Sequence, residues 1–333
     1  MRLVTYEIDT PIGPARRVGA LRQDGQVVVD LRVAYATARS DGKGVTMATD
    51  EAEWLVPADM VGFLENGEEA MEAARVGLEL AERTEEPIGV GGRRMQATAS
   101  DVRIVSPLPR PPTIRDFSCM EEHYRNAIRR LGLWDEVPQS WYDWPPYYKG
   151  NPLTVIGPED DVEWPVYATE VDYELEVAMV IGRRGKNVTL DDAFAHIAGF
   201  TIFNDISIRN IQSGEQSTGV GLSKSKDFDT GNILGPCIVT PDEFDCRAAN
   251  ATVRINGEVR NEGSLDAMYH SWEDLIVHAS QSETIHPGEV FASGTLGRGS
   301  GMELGRYLEP DDLMELEVEG IGLLRNRLVK RTS

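Results

Sequence analysis

Cysteine is scarce in this 333-residue chain: only Cys119, Cys237 and Cys246 occur. A set so small and odd argues against a disulfide scaffold and against a structural zinc site, and suits reduced thiols. Long apolar runs are also missing, and no window has the uncharged length that a membrane helix needs. The opening residues, Met1-Arg2-Leu3-Val4-Thr5-Tyr6-Glu7, lack the apolar core of a signal peptide, so a cytoplasmic location is expected. Positive charge is in deficit, with 33 Lys and Arg against 55 Asp and Glu, a net charge of −22. Such a surface repels nucleic acid and anionic lipid, so neither is expected as a partner. It also repels a small anionic substrate, unless a metal and local basic side chains reverse the sign inside a pocket.

What is present is ordinary globular composition, 41% hydrophobic and 26% charged, with length for one large domain or a large one and a small companion. Short β-like runs at 2–8 and 26–31 precede a helical stretch over 50–83, which the glycine-rich segment 88–92 ends. A strand at 102–105 follows, and then Pro107-Leu108-Pro109-Arg110-Pro111-Pro112, with four prolines in six residues. That stiff connector marks the best domain boundary. It divides the chain into an N-terminal α+β domain, 1–107, and a β-rich domain, 108–333. Beyond it, strands are expected at 171–181, 199–203, 238–240, 252–255, 290–292 and 313–318, and helices at 121–131, 190–196 and 271–280.

The most informative stretch is Tyr173-Glu174-Leu175-Glu176-Val177-Ala178-Met179-Val180-Ile181. Residues two apart on a strand face the same side, so Glu174 and Glu176 should project together from an otherwise apolar element. Two carboxylates held that close in a low-dielectric wall need a cation or a shared proton between them, and a hard divalent metal supplies one. Alternation alone leaves a second reading, an edge strand with both glutamates in solvent. Downstream come Asn204-Asp205-Ile206-Ser207-Ile208-Arg209-Asn210-Ile211-Gln212 and Lys226-Asp227-Phe228-Asp229-Thr230. Upstream, Arg115-Asp116-Phe117 leads into a helix start containing His123, and Ser293-Gly294-Thr295 and Gly301-Met302-Glu303 lie near the C-terminus.

These motifs, in this order, resemble the fumarylacetoacetate hydrolase family from about residue 113 onward. The resemblance implies a mixed β-sandwich roll of the fumarylacetoacetase C-terminal type, with a smaller N-terminal α+β domain, and a homodimer. It implies Glu174, Glu176 and Asp205 as ligands of Mg²⁺ or Ca²⁺, with Mn²⁺ also admissible, and Asp116 as the fourth ligand of fumarylacetoacetase itself. His123 is implied as the base and Glu303 as the carboxylate that orients it. Lys226, Arg209 and Gln212 are implied as substrate or oxyanion contacts, and Tyr148 and Thr295 as substrate contacts. Cys119 is expected to line the pocket without reacting, and the remaining histidines to be structural. The segment 131–148, with Trp134, Trp141 and Trp144, is expected to form a lid over the substrate.

The chemistry implied is hydrolysis of a C–C bond in a β-diketone acid such as an acylpyruvate, a step of aromatic catabolism. The metal would polarise the oxo group and stabilise the enolate, while His123 activates water. Decarboxylation, hydration or isomerisation of a 2-oxo acid is the alternative use of the same site. Ser118 stands where fumarylacetoacetase has a substrate-contacting tyrosine, and Lys149 where it has histidine, so the substrate itself is open.

Overall fold

The computed structural model describes residues 1–22, 25–84 and 86–331. Its centre is the strand Leu175–Ile181, whose seven residues are all buried. A run so rich in β-branched and apolar residues, covered on both faces, belongs in a sheet interior. It pairs antiparallel with Ile197–Asp205 on one side and with Val290–Ala292 on the other, so the edge-strand reading fails. The continuous strand expected over 171–181 is broken. Val171–Asp172 pairs with Ser207–Ile208 instead, and the chain changes partner at Tyr173-Glu174, where the Glu174 N–H donates to Asn204 Oδ1.

Among the described residues the large sheet has 12 strands. Beyond Val290–Ala292 it continues through Ile114–Phe117 to Tyr147–Gly150, and beyond Ile197–Asp205 through Asn232–Val239 to Arg2–Thr10, Gly13–Arg22 and Val27–Asp30. The N-terminal strands thus extend the same sheet, joined through Arg2 opposite Val239 and Leu3 opposite Ile238. A second sheet of five strands includes Asn250–Ile255 and Leu313–Val318. The fold is therefore α+β and rich in strand, as expected.

Alternation along Leu175–Ile181 divides the interior in two. Leu175, Val177, Met179 and Ile181 pack into a core with Phe200, Trp272 and the five-stranded sheet. Ala178 and Val180 face a second core built with Leu3, Leu31, Phe63 and Ala73. Leu31, Phe63 and Ala73 come from the N-terminal helices Leu31–Lys43, Met60–Glu65 and Gly67–Arg83, and Leu3 from the strand Arg2–Thr10. The first core is closed by the helix Trp272–Ser280, which Ser271 and Asp274 start with a reciprocal capping box. Trp272 is buried, packs on Phe200 with ring centroids 5.2 Å apart, and donates from Nε1 to the Cys246 carbonyl at 2.9 Å. Replacing Trp272 with Ala should destabilise the protein by about 3–5 kcal/mol, read as a lowered urea midpoint.

Candidate active site

Four adjacent strands end at one edge of the large sheet, and the register there puts the carboxylates of three of them on one face. Glu176 lies opposite Phe203, so Asp205, two residues on, shares its side. Asp116 lies opposite Ala292, which lies opposite Ala178, and this places Asp116 on that side too. The intervening strand carries only Ala292 there and then Gly294, so nothing bulky separates the acids. Gly294 has φ +79°, and a Cβ on it would meet the Phe117 carbonyl at 2.3 Å. Oxygens of Asp116, Glu176 and Asp205 consequently lie within 4.8 Å of one another, all buried.

This cluster is the natural seat of a hard cation. Asp116 Oδ1 and Asp205 Oδ1 are buried with no hydrogen-bond partner among the described residues, an expensive state for a carboxylate unless something else meets them. Burial, followed by the neighbouring carboxylates, holds Asp116 and Glu176 well above the ordinary carboxylate range. Asp205 is raised in the same direction, chiefly by burial, with Lys226 opposing. A divalent ion would replace the shared protons, and all-oxygen donors suit Mg²⁺, Ca²⁺ or Mn²⁺.

Glu174 lies outside this cluster. It lines the same cavity as Glu176, yet its carboxylate accepts from Arg209 Nη2 at 2.6 Å and from Lys226 Nζ at 2.6 Å. Burial alone would raise it, but Arg209, Lys226 and His123 outweigh that and hold it below the usual range. The repulsion expected between the paired glutamates is thus relieved partly by the protein's own cations. Lys226 uses all three of its hydrogens, on Glu174, Asp205 and Ser207. Burial works against its charge, but Asp205 and Glu174 prevail and hold it above the ordinary lysine value. It is a fixed cation with no donor left over.

His123 is buried on the first turn of the helix Glu121–Arg130. Its neighbours Glu121 and Glu122 are less buried, and the helical period turns His123 inward. His123 Nδ1 meets Glu303 Oε2 at 2.8 Å, so the carboxylate fixes the proton on Nδ1 and leaves Nε2 as the free base. Nε2 is 3.7 Å from Glu174 Oε1. Glu303 is itself fully held: Asn126 Nδ2 and the Arg298 N–H donate to Oε1, each at 3.0 Å, and Ser300 Oγ donates to Oε2 at 3.0 Å.

The other expected contacts fall in or beside the cavity. Arg209 is committed to Asp172, Gln212 Oε1 and Glu174. Gln212 therefore keeps its amide N–H₂, which donates to no protein acceptor among the described residues. Tyr148 donates to Asp205 Oδ2 at 2.7 Å and Thr295 Oγ1 to Glu176 Oε1 at 3.2 Å, so both orient the acid cluster as well as line the space beside it. Cys119, expected along the pocket, is packed in the core instead and is absent from the cavity lining. The cavity, about 270 Å³, has a second, apolar wall that includes Tyr124, Ile128, Leu131, Leu133 and Leu222. Both ends of segment 131–148 line it, and Trp141 anchors the middle by stacking on Tyr124 at 5.6 Å between ring centroids.

One residue was missed by sequence reasoning. Asp172 is fully buried, binds Arg209 Nε at 2.8 Å, and accepts from the Gly301 and Met302 N–H groups at 2.7 and 2.9 Å. It ties the short helix bearing Glu303 to the arginine that holds Glu174. The signal was available: Asp172, Glu174 and Glu176 stand at i, i+2 and i+4.

Fold and site together define a β-rich roll with a buried acidic cluster that could hold a divalent cation, beside a carboxylate-oriented histidine. The profile described as fumarylacetoacetate (FAA) hydrolase C-terminal matches residues 113–329, and the chain belongs to that family. It is 32% identical over 331 residues to the mitochondrial oxaloacetate tautomerase FAHD2A of Homo sapiens, covering 99% of this chain and 92% of that protein. It is 28% identical over 276 residues to the oxaloacetate tautomerase YisK of Bacillus subtilis, covering 82% and 87%. The solved fumarylacetoacetate hydrolase of Exiguobacterium antarcticum superposes with a TM-score of 0.71 at 23% identity, over 99% of this chain and 100% of that one. No helix among the described residues is long and apolar enough to cross a membrane.

The raised carboxyls fix the sign of two pH effects. Between the ordinary carboxylate range and their raised values the folded state binds more protons than the unfolded one, so these groups make the metal-free protein less stable as pH rises. A cation competes with those protons and binds better at higher pH. Mg²⁺ or Mn²⁺ at a hundredfold excess over its Kd should add about 2.7 kcal/mol at pH 8, and markedly less at pH 5.5. A thermal shift series that is flat in metal at both pH values contradicts the cation site.

Proposed function

We propose that this protein is a divalent-metal-dependent enzyme that catalyses keto–enol tautomerisation of a 2-oxo acid. The observation that carries the proposal is the free Nε2 of a buried, carboxylate-oriented histidine beside a buried cluster of acids with orphaned oxygens. In this reading Asp116, Glu176 and Asp205 hold the cation, and Glu174 stands beside them, paired with Arg209 and Lys226. When bound, the cation supplies electrophilic polarisation of the 2-oxo group, which acidifies the adjacent C–H.

His123 Nε2 takes the proton from C3 of the keto form, and the C3–H electron pair becomes the C2–C3 double bond. The same nitrogen then returns that proton to the O2 oxygen, giving the enol, and the reverse order converts enol to keto. Glu303 keeps Nδ1 protonated throughout and stabilises the imidazolium between the two transfers. Asn126, Ser300 and the Arg298 N–H hold Glu303 in place. Lys226 and Arg209 offset excess acid charge and draw in an anionic substrate, and the free amide hydrogens of Gln212 face its oxygens.

Hydrolysis was the first expectation, on the ground that His123 and Glu303 supply the base that water attack requires. The pair does not discriminate, because abstraction of a carbon-bound proton needs the same oriented base. The names of the curated relatives favour the proton shift. A second reading, C–C hydrolysis of an acylpyruvate, rests on one specific feature: the wall of Tyr124, Ile128, Leu131, Leu133 and Leu222 suits an apolar acyl tail.

Enol absorbance with mass analysis separates them. We expect metal-dependent loss of ultraviolet enol absorbance from oxaloacetate or a longer 2-oxo acid, with no change in mass. His123→Ala should lower kcat by about 10²–10⁴-fold. Release of two acids, with one water consumed, would overturn the tautomerase reading in favour of hydrolysis.

A further inference from the structure

A second cavity, about 720 Å³, lies well apart in sequence from the site above, lined only by residues between Tyr6 and Val102. One wall is a face of the strands Arg2–Thr10, Gly13–Arg22 and Val27–Asp30, and the other comes from Arg32 and Val33 on the first helix with Thr49 and Glu53 on the next. In a chain with 22 excess negative charges, four arginines line this one space: Arg17, Arg32, Arg93 and Arg94.

The pairing of these guanidiniums is incomplete. Arg17 Nε is buried with no hydrogen-bond partner among the described residues, and its nearest carboxylate oxygen, Asp30 Oδ2, is 3.9 Å away. That oxygen already accepts from the Tyr6 hydroxyl at 2.8 Å, and Asp30 Oδ1 from the Val33 N–H at 2.9 Å. Arg32 donates from Nε to the Val56 carbonyl at 2.7 Å. Its Nη1 is 3.7 Å from Glu53, whose side chain is 70% exposed. Arg94 stands 3.8 Å from Asp101, another half-exposed acid. Other arginines of the chain sit in hydrogen-bond contact with their acids, as Arg325 does with Glu159 at 2.9 Å. The acids at this cavity are thus either spent inside, as Asp30, or out at the rim, as Asp9, Glu53 and Asp101. Burial, then repulsion from Arg17, lowers Arg32 from its ordinary value, with Glu53 and Asp30 only partly opposing them. The lining also includes the apolar side chains of Ile8, Val28, Met95 and Val102.

We propose that this cavity binds a small organic anion, its carboxylate or phosphate oxygens bridging Arg17 and Arg32 and its apolar body resting on Val28 and Met95. Planar guanidiniums recognise either oxyanion through paired N–H donors, and an anion there would complete the bonding that Arg17 lacks.

The test is calorimetric titration of the full chain with 3-phenylpropionate, with phenyl phosphate and with inorganic phosphate, at ionic strength matched by sodium chloride. Saturable binding of an organic probe, weakened about tenfold or more in Arg17→Gln and in Arg32→Gln, supports the site. The stronger of the first two probes identifies the head group. Oxo-acid turnover should be unchanged in Arg17→Gln, which lies outside the acid cluster and its histidine. Because Arg32→Gln also removes a bond to Val56, Arg17→Gln is the decisive variant if the other fails to fold. No saturable binding, or binding equal in the parent and Arg17→Gln, would overturn the proposal.

Discussion

Everything at this edge of the large sheet is organised around a surplus of buried negative charge. Asp116, Asp172, Glu174, Glu176, Asp205 and Glu303 are brought together against two permanent cations, Arg209 and Lys226. Two like charges about 4 Å apart repel by about 4 kcal/mol even at an effective dielectric near 20. The protein resolves part of this internally. Arg209 and Lys226 meet Asp172, Glu174 and one oxygen of Asp205, four donors hold Glu303, and the cluster of Asp116, Glu176 and Asp205 retains protons or takes up a cation. The orphaned oxygens of Asp116 and Asp205 mark where the internal solution stops.

That division of labour explains the positions of the surrounding residues. Asp172 is the hinge of the arrangement, since one carboxylate grips both the arginine behind Glu174 and the first N–H groups of the helix that carries Glu303. The acidic centre and the base on His123 are thereby held in one rigid frame. Tyr148 and Thr295 orient Asp205 and Glu176 from the opposite side. The cavity left over is polar at this end and apolar at the other, the geometry for a small anion with a less polar tail.

Much of this was legible in the sequence where the local pattern was strong. The strands Val290–Ala292 and Leu313–Val318 lie where a short apolar run and an apolar alternation put them, and the helix expected over 271–280 is found at Trp272–Ser280. Less was legible where polarity masked structure. Gly13–Arg22 contains two glycines, a proline and three arginines, and is a strand because Arg2–Thr10 pairs along nearly its whole length and Val27–Asp30 along its end. The helix Arg209–Ser217 has few apolar residues and is held by Arg209 and Gln212 turning inward. The glutamate pair correctly pointed to a buried acidic site, but which acids cluster depends on strand order. Asp116 and Asp205 lie far from Glu176 in sequence and reach it only through register.

The central claim is that Asp116, Glu176 and Asp205 enclose a divalent cation. Crystals grown with Mn²⁺ and oxalate, a stable mimic of the 2-oxo acid head, would locate it by anomalous scattering. The account predicts one strong peak bounded by those three carboxylates, with oxalate on its open side toward His123. A peak elsewhere, or an empty cluster with Lys226 alone among the acids at saturating Mn²⁺, would contradict it.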